Sequence, residues 1–65
     1  MELLILKSGT RYIRVKEHQF LQVTLDKASV FPMDQMPLVK EYEARLKTNG
    51  FTVCIKKLIL SEKNL

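Results

Sequence analysis

Few of the 65 side chains are of a type that does chemistry: one histidine, His18, one cysteine, Cys54, and seven carboxylates against eleven lysines and arginines. His18 lies between Glu17 and Gln19 in a polar stretch that reads as a turn, and no serine, cysteine or aspartate is placed to serve it as a catalytic partner. Cys54 sits in an alternating run, where a thiol is ordinarily a small hydrophobe. Glu41 and Glu43 are two residues apart on an expected helix, so they point in different directions and form no acid–base pair. One histidine and one cysteine cannot supply the four ligands of a structural zinc site, and no glycine-rich phosphate loop is present. The expectation is a protein that is not an enzyme and uses no cofactor or metal.

What remains is a set of cations interleaved with aromatic residues: Arg11, Tyr12, Arg14, Phe20, Lys56 and Lys57. Cations can meet phosphates and aromatic rings can stack on bases, provided one surface presents both. The elements that carry them are legible in the pattern. ELLIL and RYIRV read as two strands joined at KSGT, with Ser8-Gly9 at the centre of a tight turn. KEHQ reads as a second turn and QFLQVTL as a third strand, in which Leu21, Val23 and Leu25 alternate with Phe20, Gln22 and Thr24. Leu38, Val39, Tyr42 and Leu46 then fall on one stripe of a helix, with Lys40, Glu43, Ala44 and Lys47 opposite.

The helix is expected to start at an Asp34 N-cap, with Pro37 as its third residue and Met33 and Leu38 as a hydrophobic staple; Pro32 holds Phe31 extended ahead of it. Asn49-Gly50 reads as its C-terminal cap, with Phe51 folding back on Leu46. FTVCIKKLIL is the last strand.

These elements predict a single α+β domain over residues 1–65, a two-layer β-β-β-α-β fold with one helix on one face of the sheet. A right-handed crossover would set the last strand parallel to the first, giving a four-stranded mixed sheet of order 4-1-2-3. If Ile13, Val15, Leu21, Val23, Leu25, Val53 and Ile55 face the helix, the open face carries Tyr12, Arg14, Phe20, Gln22, Thr24, Cys54, Lys56 and Leu58, joined by Leu4 and Leu6. Such a surface is too apolar to be idle. The expected use is protein interaction, foremost a homodimer through this face; the alternative is a nucleic-acid binding domain using Arg14, Lys56, Tyr12 and Phe20.

A sheet backed by one helix resembles, in topology alone, the arm-binding domains of phage integrases, whose sheet reads a DNA groove. YIRV, LDKASVF and GFTVCIKKLIL together are similar to small uncharacterised bacterial or phage proteins, which implies a bacterial source and no assigned activity. The apolar run LLIL is too short for a signal peptide or a membrane span. The single cysteine allows no internal disulfide, and the chain is expected to be cytoplasmic, without a membrane partner.

Overall fold

A computed structural model describes residues 1–61. The chain forms strands β1 (Glu2–Ser8), β2 (Arg11–Lys16) and β3 (Gln19–Val23), a single 3₁₀ turn (Leu25–Lys27), strand β4 (Val30–Pro32), a second 3₁₀ turn (Met33–Gln35), helix α1 (Met36–Thr48) and strand β5 (Cys54–Ile59). The α+β class with one helix is as the sequence predicts. The sheet differs: it has five strands, all neighbouring pairs are antiparallel, and β5 runs antiparallel to β1, not parallel to it.

The cause is β4, a strand of three residues where the sequence pattern predicts only an extended approach to the helix. Central strand β1 pairs with β5 over six of its seven residues, from Glu2 opposite Ile59 to Lys7 opposite Cys54. On its other side the sheet forks. β2 pairs with β1 at Lys7–Tyr12 and Ser8–Arg11, and β4 takes over at Ile5–Val30, Leu4–Phe31 and Leu3–Pro32. Ser29 closes the fork: its N–H donates to the Ile13 carbonyl at 3.1 Å, and its hydroxyl accepts the Val15 N–H at 2.9 Å. Since β4 and β5 both oppose β1, they are parallel to each other. The helix thus makes its crossover from β4 to β5, with β1 between them.

Register then assigns the faces, because residues directly opposite each other on neighbouring strands share a side. The helix side holds Leu4, Leu6, Ile13 and Val53, which are buried with Val39 and Leu46 of the helix. Val15, Phe20, Phe31, Tyr42, Phe51 and Ile55 pack around this core. The Tyr42 ring meets Phe20 edge-on at 5.7 Å between centroids and Phe31 at 5.8 Å. Placing Leu4 and Leu6 on the open face is therefore corrected, as is the parity of β3. Val15 opposes Phe20 and Ile13 opposes Gln22, so Phe20 and Gln22 belong to the helix side while Leu21 and Val23 face away from it. Thr24 and Leu25 lie beyond the strand.

Turn chemistry explains the register. Gly9, at φ +62°, leads a two-residue connection with Thr10, one position later than the Ser8-Gly9 centre expected. Glu17 and His18 form the other connection, and both have positive φ, 49° and 66°, as a type I′ turn requires. Neither is glycine or asparagine, so this turn carries left-handed strain of about 1–2 kcal/mol per residue. A Glu17→Asn, His18→Gly double variant is expected to gain about 1 kcal/mol or more in urea unfolding. An unchanged midpoint would mean that the hairpin tip relaxes in solution.

At the helix start the Asp34 cap is also corrected. Asp34 lies within the second 3₁₀ turn, Gln35 is the N-cap, and no side chain bonds the first-turn amides. With Met36 the first helical residue, Pro37 is the second rather than the third; its missing N–H costs nothing there. Asp34→Ala is accordingly expected to change stability by no more than about 0.5 kcal/mol. A loss above about 1 kcal/mol in the same urea assay would restore the capping role.

The helix end is as predicted: the Gly50 N–H donates to the Lys47 carbonyl and the Phe51 N–H to that of Leu46, with Gly50 at φ +89°.

Candidate functional site: the open face of the sheet

One helix covers one side of the sheet, and the other side is left to solvent. By register the open face consists of Leu3, Ile5 and Lys7 of β1, Tyr12, Arg14 and Lys16 of β2, Gln19, Leu21 and Val23 of β3, Val30 and Pro32 of β4, and Cys54, Lys56 and Leu58 of β5. Of the ten residues expected on this face, five are there, Tyr12, Arg14, Cys54, Lys56 and Leu58; Leu4 and Leu6 are in the helix-side core and Thr24 lies beyond its strand. Phe20 and Gln22 are not there either, which removes one of the two aromatic rings. The sequence reading missed Lys7, which sits opposite both Tyr12 and Cys54 and holds its ammonium 5.6 Å from the centre of the Tyr12 ring.

The face is layered. Leu3, Pro32 and Leu58 form an apolar row at one end. Ile5 follows, flanked by Val30 and Lys56, and is 2% exposed although it lies outside the helix-side core. Long lysine stems cover apolar surface of this kind while leaving their charge in water. Val30, at 47% exposure, and Leu21, at 40%, remain open.

Charge is segregated between the two sides. Lys7, Arg14, Lys16 and Lys56 are on the open face, and no aspartate or glutamate occupies any of its positions. Every ion pair among the described residues lies elsewhere. Arg45 with Glu41 (2.7 Å) and Lys47 with Glu43 (3.8 Å) brace the helix at i, i+4 spacing, and Lys57 meets Glu2 at 3.2 Å on the helix side of the β1–β5 pair. Lys7, Arg14, Lys16 and Lys56 have no such partner among the described residues.

A second feature lies at the hairpin tip, where a groove of about 420 Å³ runs between β2, β3 and α1, floored by Val15, Phe20, Leu38 and Tyr42 and rimmed by Glu17, His18, Glu41 and Arg45. Glu41 is already engaged by Arg45. Among the described residues no three His, Cys, Asp or Glu side chains converge as metal ligands, and no helix is long and apolar enough to cross a membrane. Cys54 is a free, exposed thiol. Asp26, in the first 3₁₀ turn, accepts a hydrogen bond from the Thr24 hydroxyl, which holds its carboxyl below the ordinary range; it lies outside both features.

Searches against protein-family models, curated proteins and solved structures return no match for this chain.

Proposed function

We propose that this chain is a binding module, not an enzyme, and that its open sheet face takes a nucleic acid strand. The observation that carries this is the set Lys7, Arg14, Lys16 and Lys56, without an ion-pair partner among the described residues and arrayed around Tyr12 and Leu21 with no carboxylate at any strand position of the face. Phosphates would neutralise the cations while Tyr12 offers a ring for a base. The net charge of +4 points the same way but is weaker support, since it does not say where the charge lies.

Self-association through this face, the use its apolar character first suggests, retains the support of its apolar rows. A twofold contact of the face with itself, however, brings the four cations of each copy together with no acid to receive them. Nucleic acid is the better fit for that reason. The exposed thiol of Cys54 suits a reducing compartment, consistent with a cytoplasmic protein.

The test is fluorescence polarisation with labelled single-stranded RNA, single-stranded DNA and duplex DNA across a salt series. Four phosphate contacts give a slope of log K against log salt of about −3 for a single strand, a roughly 60-fold loss between 50 and 200 mM. No binding to any probe at low salt would discard the reading.

A further inference from the structure

The free edges of the sheet are not equally protected, and the difference identifies where a second copy can add; that of β4 is only three residues long and ends in Pro32. Edge strand β5 carries adjacent lysines, Lys56 and Lys57, one on each side of the sheet. A twofold pairing of β5 with itself, in either of its two central registers, sets a lysine against the same lysine of the other copy. Charged edges of this kind keep strands from pairing. Edge strand β3 reads QFLQV, with no charge and no proline. It lacks each of those defences.

We infer that β3 is a homodimer edge, pairing antiparallel with β3 of a second copy about a twofold axis at Leu21. The backbone dictates this register. A two-residue hairpin makes its flanking pair, Lys16–Gln19, a hydrogen-bonded one, so bonding to β2 alternates through Gln19, Leu21 and Val23. Phe20 and Gln22 therefore turn their N–H and C=O groups outward, and no backbone group among the described residues meets them. With the axis at Leu21, Phe20 of each copy lies opposite Gln22 of the other. All four outward groups of each copy are then used, in four hydrogen bonds.

The side chains agree with that register. The two Leu21 side chains meet across the axis at a non-hydrogen-bonded site, where opposed residues are closest, and Leu21 is 40% exposed in the single chain. On the helix side Phe20 meets Gln22 of the other copy, beside the groove at the hairpin tip. Because the axis stands perpendicular to the sheet, the two open faces share one side of a continuous sheet. Self-association at this edge leaves the cationic face free and doubles it. The inference is independent of what that face binds.

Two measurements test it. Light scattering with gel filtration from about 10 µM to about 1 mM, the range suited to an interface of four hydrogen bonds, should show the mass rising from 7.6 kDa toward twice that value. Gln22→Pro should hold the mass at 7.6 kDa. It removes an outward N–H and no bond to β2, a position where proline is tolerated on an edge strand. Leu21→Lys, which opposes two lysines across the axis, should do the same and stands in if the proline variant fails to fold.

Amide exchange on the unmodified chain needs no variant. Phe20 and Gln22 should gain protection of about tenfold or more between the dilute and concentrated samples, while Leu21, bonded to β2 in both, should not. A wild-type monomer at about 1 mM, a doubled mass in folded Gln22→Pro and Leu21→Lys, or concentration-independent exchange at Phe20 and Gln22 would each overturn the inference.

Discussion

Replacing Phe20 with glutamate is expected to leave the chain largely unfolded, while the same replacement one residue later, at Leu21, leaves it folded. Phe20 stands opposite Val15 and edge-on to Tyr42, inside the layer between sheet and helix. Loss of a packed phenylalanine costs about 3 kcal/mol or more, and a carboxylate there also lies beside Glu17 and Glu41 at the groove rim. A domain of this length holds about 3–10 kcal/mol in total. Leu21 is opposite Arg14 on the solvent side, so a glutamate there remains hydrated and gains a nearby cation. Circular dichroism with urea titration separates the two variants. If Phe20→Glu unfolds at the wild-type midpoint and Leu21→Glu does not fold, the parity of β3 is the reverse of that described.

That parity is the part of the fold the sequence concealed, and the reason is physical. β3 has apolar residues on both of its faces: Phe20 on one, Leu21 and Val23 on the other. Counting hydrophobes favours the wrong side. The length of the preceding turn decides the matter, since a slip of one residue moves every side chain to the opposite face. KEHQ looks like a four-residue polar turn, but Lys16 and Gln19 are paired, and only Glu17-His18 is free to connect them. Two residues with bulky side chains in left-handed conformation are not the usual sign of a type I′ turn.

β4 was concealed for a different reason. Three residues show no alternation, and Pro32 cannot donate to a ladder, so Val30–Pro32 reads as the approach to a helix. Once β4 takes its place beside β1, the direction of β5 follows, and the expected parallel pair becomes antiparallel. The helix stripe, the Gly50 cap and the existence of the β1–β2 hairpin are set by local rules and are legible, although the turn of that hairpin lies one position later than expected. The cations at Arg14 and Lys56 are legible too, because strand alternation alone puts them on the side away from Ile13 and Ile55. Lys7 is not: LLIL is apolar on both faces, and nothing in it shows which parity the following lysine shares.

The position of those cations yields the second large effect. An Arg14→Glu, Lys56→Glu double variant is expected to lose nucleic acid binding by about tenfold or more for each contact removed, and the salt slope should fall from about −3 to about −1.5. The fold should survive, since both side chains are exposed and neither enters the helix-side core. A matched control distinguishes a patch from mere net charge. Lys40→Glu with Lys47→Glu changes the total charge by the same amount but acts on the helix, across the molecule from Tyr12. Because exposed charges farther apart than a Debye length, about 8 Å at physiological salt, scarcely interact, the control should weaken binding only slightly and leave the slope near −3. Equal losses in the two variants would mean that attraction is diffuse and that no face of this protein is specialised for it. Loss confined to the open-face variant would place the phosphates against Lys7, Arg14, Lys16 and Lys56. There Tyr12, already held beside the Lys7 ammonium, is the one ring positioned to stack, and Tyr12→Ala should then lower affinity for single strands, by about 1–3 kcal/mol, more than for duplex.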